Sequence, residues 1–193
     1  MRLTLIRHGL TLGNVQKLYY GSTDLPLTKE GEATLLRKRE ICNYPTAEHY
    51  FTSGMRRTEQ TLELLYGAVP HKALPGLREM DFGAFEMRSY EALRENPAYQ
   101  TWIQDNMEEN RCPNGESAAQ ATARALAALE PILSCGEDAV CITHGGIIAG
   151  LMLSWFPGQR HRYGFTPAPG DGYCVEVQAS TAQSFFEIPS CLE

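Results

Sequence analysis

The chain has 193 residues, 43% of them hydrophobic and 21% charged, with a formal net charge of -6. Those proportions fit an ordinary globular chain of one large or two small domains, and one domain spanning 1–193 is the expectation. The acidic balance, with no long Lys/Arg cluster, excludes the basic face a nucleic-acid binder uses, so an anionic ligand would need a local pocket.

"LTLI" is too short for a signal-peptide core, and no run approaches the roughly 18 apolar residues of a membrane span. A cytoplasmic location with no membrane partner is therefore expected. The six cysteines (Cys42, Cys112, Cys135, Cys141, Cys174, Cys191) contain no C-x-x-C pair. They read as reduced, mostly buried thiols rather than a disulfide framework or a zinc site.

Residues 2–6 (RLTLI) form a first strand, and "TKEGEATLLRKREIC" from Thr28 carries a Thr cap followed by helical apolar spacing. "HYFTS" is a second strand running into the helix "GMRRTEQTLELLYG", whose Met55, Leu62 and Leu65 share an inner face and which Gly67 ends. A more polar segment, about 88–135, follows, with helical stretches at "SYEALREN", "AYQTWIQDNMEEN" and "ESAAQATARALAALEPIL". "DAVCITH" is a third strand, nearly continuous in apolar residues as a parallel central strand should be, followed at once by the helix "IIAGLMLSWF". "GYCVEVQAS" and "AQSFFEIP" close the chain as an antiparallel pair. The expected fold is α/β: a mostly parallel central sheet with helices on both faces, and a helical insertion over the carboxyl edge of the strands.

Polar groups recur where a core strand ends and the next helix begins: Arg7-His8-Gly9, Arg57, and His144-Gly145-Gly146. Ligands of open α/β sheets bind at that edge, and helix N-termini with glycine amides favour an anion there. Two histidines on one phosphate point to one attacking and the other stabilising charge. Arg7 and Arg57 would disfavour a protonated imidazole, and a planar guanidinium suits phosphoryl oxygens. A proton for the leaving oxygen would come from Glu79 in "LREMDFGAFE", with Glu86 and Asp81 as alternatives on the same segment. His49, His71 and His161 read as surface or packing residues, and Tyr90, Tyr99 and Trp102 as packing for the insertion. No metal-ligand pattern occurs, so no metal and no cofactor are expected.

"LIRHG", "FTSGMRRTEQT", "LREMDFGAFE" and "ITHGG" resemble, in order and spacing, the motifs of the histidine phosphatase (phosphoglycerate mutase-like) superfamily. The resemblance implies a three-layer fold, His8 as the nucleophile of a transient phosphohistidine, and Arg7, Arg57 and His144 on the phosphoryl group. Counting four residues from Ser53 selects Arg57 over Arg56. Glu79 corresponds to the proton donor, Asn14 to a phosphate-holding position, and Gly21 to a substrate-facing loop; Gly145, at a helix start on the sheet edge, is a further phosphate-binding candidate through its amide. Leu10 stands where many members carry Glu or Gln, which alters the polarity beside the nucleophile.

The family's mutases are generally longer, so hydrolysis of a small phosphorylated metabolite is expected rather than mutase activity. "EMDFGAFEMRSYEAL" followed by "CPNGES" resembles the α-ribazole phosphatases of cobalamin biosynthesis. A broad-range sugar-phosphate or nucleotide phosphatase is the alternative, then a phosphoglycerate mutase, with a non-catalytic phospho-ligand binder last. The apolar terminal strands leave room for a homodimer.

Overall fold

A computed structural model describes residues 1–105 and 108–191, except that the side chain of Cys191 lies outside the described set. The chain begins with β1 (Arg2–Arg7), α1 (Leu12–Val15), β2 (Leu18–Tyr19), α2 (Lys29–Ile41) and β3 (Cys42–Asn43). Next come β4 (His49–Thr52), α3 (Arg56–Tyr66), β5 (Lys72–Ala73), β6 (Arg88–Ser89), α4 (Tyr90–Leu93), α5 (Pro97–Ile103) and α6 (Ala118–Cys135). It ends with β7 (Ala139–Thr143), α7 (Gly145–Trp155), β8 (Gly172–Gln178), β9 (Thr181–Ile188) and β10 (Ser190–Cys191).

Six strands form one sheet in the order β5-β4-β7-β1-β8-β9. The first four run parallel, β8 pairs antiparallel with β1, and β9 pairs antiparallel with β8. β7 is buried along its whole length, as a strand flanked on both edges and covered on both faces must be. Its side chains alternate between two cores: Ala139 and Cys141 join Leu3, Leu5, Ala125, Ile148 and Leu151 on one face, whereas Val140 and Ile142 join Leu35, Leu62 and Leu65 on the other. Thus α6 and α7 cover one face and α2 and α3 the other, giving the three layers expected.

The helices begin where their caps dictate. Thr28 accepts the Gly31 N–H at 3.0 Å at the start of α2, and Ser117 forms a capping box with Gln120 at the start of α6. In the insertion, Tyr99 and Trp102 are buried and pack with Phe85, while Tyr90 is exposed. The helix expected over "AYQTWIQDNMEEN" covers only Pro97–Ile103. Asp105 ends it by accepting the Glu109 and Asn110 N–H groups at 2.9 and 2.7 Å, and Asn106 and Met107 lie outside the described residues. "SYEALREN" likewise yields a single turn, Tyr90–Leu93.

Cys42 is disulfide-bonded, which corrects the reading of six reduced thiols; spacing tests such as C-x-x-C detect only pairs close in the chain. Cys112, Cys141 and Cys174 are free and buried, and Cys135 is free and exposed. No helix among the described residues is long and apolar enough to cross a membrane.

Candidate active site

The parallel register builds the site directly. Arg7 of β1 lies opposite Thr143 of β7, and Thr52 of β4 lies opposite Ile142, so His8, Ser53 and His144 emerge side by side from three adjacent strand ends. The His8 and His144 rings are 5.2 Å apart. His8 is 3% exposed, and His144, Ser53 and Arg57 are fully buried.

Hydrogen bonds fix which nitrogens carry protons. His8 Nδ1 is 2.7 Å from the Gly9 carbonyl, which only accepts, so Nδ1 holds the hydrogen and Nε2 keeps its lone pair. Arg57 Nε donates to His144 Nδ1 at 3.3 Å, so the remaining ring hydrogen sits on Nε2 and goes to Ser53 Oγ at 2.8 Å. Burial, then the Arg57 cation, holds both imidazoles well below their usual range, with Arg7 acting in the same sense. Both are therefore neutral at physiological pH. For His8 that is the nucleophilic state.

Arg57, in the first turn of α3, donates through Nη1 to Thr23 O and through Nη2 to Gly21 O, both at 2.9 Å. Three N–H groups are thereby used, and a guanidinium carries five. Arg56 is exposed, its backbone N–H held by Asp24. Arg7 donates through Nη1 to Pro167 O at 2.8 Å, while its Nε is buried without a partner. A buried orphan donor costs roughly 1–3 kcal/mol unless something accepts from it, and a phosphoryl oxygen would.

Glu79 is held by two amides: Gly146 N–H reaches Oε2 and Met80 N–H reaches Oε1, each at 3.0 Å. A Cβ on Gly146 would sit 2.5 Å from Glu79 Oε1, so any larger residue here would displace the carboxylate. The same geometry alters one expectation. Gly146 N–H is committed to Glu79 and Gly9 N–H to Thr61 Oγ1 at 3.0 Å, so these glycine amides serve the protein rather than an anion. Gly145 packs against the Arg7 guanidinium at the start of α7, a terminus with no side-chain cap.

Asn14 commits its side-chain oxygen to capping α1, accepting from Thr11 N–H and Oγ1 at 3.0 Å. Gly21 is locked in place: its N–H goes to Glu86, its carbonyl receives Arg57, and a Cβ would meet the Met80 carbonyl at 1.7 Å. Glu86 accepts from the N–H groups of Gly21, Ser22, Thr23 and Phe82, the work of a loop clamp rather than of an acid. Asp81 accepts from Gly83 N–H. Sequence reasoning passed over Ser53, used there only as a counting mark, and Thr61, which ties the Gly9 amide to the Arg57 carbonyl. A strand-end serine beside the helix that carries the arginine was the available signal for Ser53.

Beside Glu79 opens a cavity of about 290 Å³ lined by Tyr19, Met80, Phe82, Ala118, Ala121 and Tyr163, with Gly146, Arg162 and Thr166. Arg162 is the cation in this lining, and it forms a two-pronged pair with Glu108 of the insertion at 2.7 Å on each prong.

Three kinds of likeness bear on this site. A protein from Yersinia enterocolitica named "Probable phosphoglycerate mutase GpmB" is 31% identical over 94% of this chain and 94% of its own. Among solved structures, the α-ribazole phosphatase from Shigella flexneri superposes with a TM-score of 0.81 at 25% identity, covering 94% of this chain and 93% of that one. A phosphoglycerate mutase from Thermus thermophilus gives 0.76 at 30% identity, over 100% of both chains. The profile of the histidine phosphatase superfamily (branch 1) matches residues 3–177, and the chain belongs to that family of enzymes.

Proposed function

We propose that this enzyme is a metal-independent phosphomonoesterase that works through a phosphohistidine on His8, with α-ribazole 5′-phosphate as its preferred substrate. The observation that carries the first part is the fixed tautomer of His8. A buried neutral ring, with Nδ1–H tied to Gly9 and Nε2 bare, is set for attack on phosphorus.

In the first step Nε2 forms a bond to phosphorus while the ester P–O bond breaks, and Glu79 gives a proton to the departing alkoxide. In the second, Glu79 takes a proton from water as its oxygen attacks phosphorus, the P–N bond breaks, and inorganic phosphate leaves neutral His8 behind. Arg57 and Arg7 hold the non-bridging oxygens in both steps. His144, with both nitrogens engaged, acts by fixing the Arg57 guanidinium.

The cavity supports the choice of substrate. Rings and methyl groups suit a leaving group with an aromatic face, and α-ribazole carries an apolar bicyclic base. The name of the curated relatives favours a second reading, transfer back to a phosphoglycerate. Against it, a glycerate carboxylate entering this cavity meets an Arg162 already paired with Glu108. The test is phosphate release in EDTA from α-ribazole 5′-phosphate, 3-phosphoglycerate, sugar phosphates and nucleotides, with His8→Ala alongside. Preference for α-ribazole 5′-phosphate that requires His8 is the expected result. Isomerised phosphoglycerate without free phosphate would establish the mutase, and release indifferent to His8 would remove the mechanism.

A further inference from the structure

At the end of the sheet opposite the phosphate site, three donor side chains meet. His49 is the first residue of β4, Cys135 the last of α6, and Glu137 follows two residues later. The backbone places them. Gly136 ends α6 in the left-handed region at φ 78°, turning the chain so that Glu137 returns beside Cys135. The sheet register sets His49 opposite Ala139, and His49 N–H donates to the Asp138 carbonyl at 3.3 Å, tying the start of β4 to the same turn. His49 Nε2 lies 2.5 Å from Glu137 Oε2, and the Cys135 thiol reaches that oxygen at 3.6 Å. One donor atom from each residue falls within 4.8 Å of the other two, and all three side chains are exposed.

We propose that His49, Cys135 and Glu137 form a surface site for a borderline-soft divalent cation of the zinc type, separate from the catalytic centre. An imidazole nitrogen, a thiolate and a carboxylate oxygen are donors zinc accepts, and water completes the tetrahedron. Bonds of about 2.3 Å to sulfur and 2.1 Å to oxygen separate those two donors by roughly 3.6 Å in tetrahedral geometry. That spacing is already present. The nitrogen and oxygen must open to roughly 3.4 Å, a rotation that exposed side chains can make. Neighbouring Asp138 is held by Arg2 at 2.9 Å, which leaves Glu137 as the carboxylate for the cation. On binding, Cys135 releases its thiol proton to solvent and its sulfur donates an electron pair to the metal. His49 presents Nε2, with its ring hydrogen carried on Nδ1.

Cobalt(II) is the probe, because a thiolate ligand gives it a charge-transfer absorption that zinc then displaces. The untagged full chain would be titrated beside Cys135→Ser and His49→Ala. One equivalent should bind to the wild type with the thiolate band, the band should vanish in Cys135→Ser, and affinity should fall at least tenfold in His49→Ala. A band that persists in Cys135→Ser, no band in the wild type, or unchanged affinity in His49→Ala would each overturn the site. The readout is independent of phosphatase activity, so it stands or falls apart from the catalytic reading.

Discussion

Replacing Arg57 with alanine removes a fully buried guanidinium that donates to Gly21 O, Thr23 O and His144 Nδ1. A fixed donor aimed at charge developing in a transition state is worth roughly 10²–10³ in kcat, about 2.7–4 kcal/mol. Arg57 has N–H groups beyond its three internal bonds for that purpose, so kcat on an aryl phosphate should fall by about 100-fold or more. The same change acts on titration. After burial, Arg57 is the next largest influence holding His8 below the ordinary imidazole range, and attack requires neutral His8. Without Arg57 the His8 pKa rises, so the acid limb of the kcat/KM profile moves to higher pH. Steady-state hydrolysis across that profile, with circular dichroism to verify the fold, measures both effects. A wild-type kcat with an unmoved acid limb would refute the assignment of Arg57 to the phosphoryl group.

Glu79→Gln should cost roughly 10²–10⁴ in kcat/KM on an alkyl phosphate, the parameter that reports formation of the phosphohistidine and not its hydrolysis. The loss should be far smaller on p-nitrophenyl phosphate, whose phenolate leaves without a proton; equal losses on both esters would exclude Glu79 as the acid. Gly146→Ala pushes a methyl to within 2.5 Å of Glu79 Oε1, so it should reproduce the leaving-group pattern of Glu79→Gln while sparing the thermal transition. Buried His8 and His144 have native pKa values below 6.5, so the unfolded chain binds more protons than the native one once pH drops under that value. Their stabilisation is complete above 6.5 and declines on acidification by up to about 1.4 kcal/mol per pH unit for each histidine, readable in urea midpoints between about pH 6.5 and 5. A flat stability over that interval would show that the two rings are not buried as neutral bases.

The strand ends were legible because the chemistry sits within one or two residues of an apolar run. Arg7-His8-Gly9 and His144-Gly145 are local words, and the sheet register converts them into neighbours. What surrounds Arg57 was not legible in the same way. Its carbonyl partners on Gly21 and Thr23 lie more than thirty residues away in the chain, and any backbone can offer a carbonyl. Glu86 shows the same limit: on the sequence it is one carboxylate among several, whereas in the fold four amides converge on it. The overlong helix beyond Ile103 fails for a local reason, because Asp105 competes for the backbone and turns it. The bond at Cys42 left no spacing signal at all.

The site concentrates positive charge in a chain whose net charge is -6, and it does so by choosing partners that do not cancel that charge. Arg57 is held by two carbonyls and an imidazole, Arg7 by one carbonyl, and the carboxylate nearest to Arg57, Asp24, stands off at 4.0 Å. Carbonyl dipoles hold a guanidinium in place without supplying a countercharge, which leaves its full charge to face an anion. Glu86 takes part without contact: it gathers the N–H groups of Gly21 and Thr23, which orients the carbonyls of those two residues onto Arg57. The negative charge goes to organising the loop. The positive charge, and the orphan Nε of Arg7, remain uncommitted, as the proposed phosphoryl ligand requires.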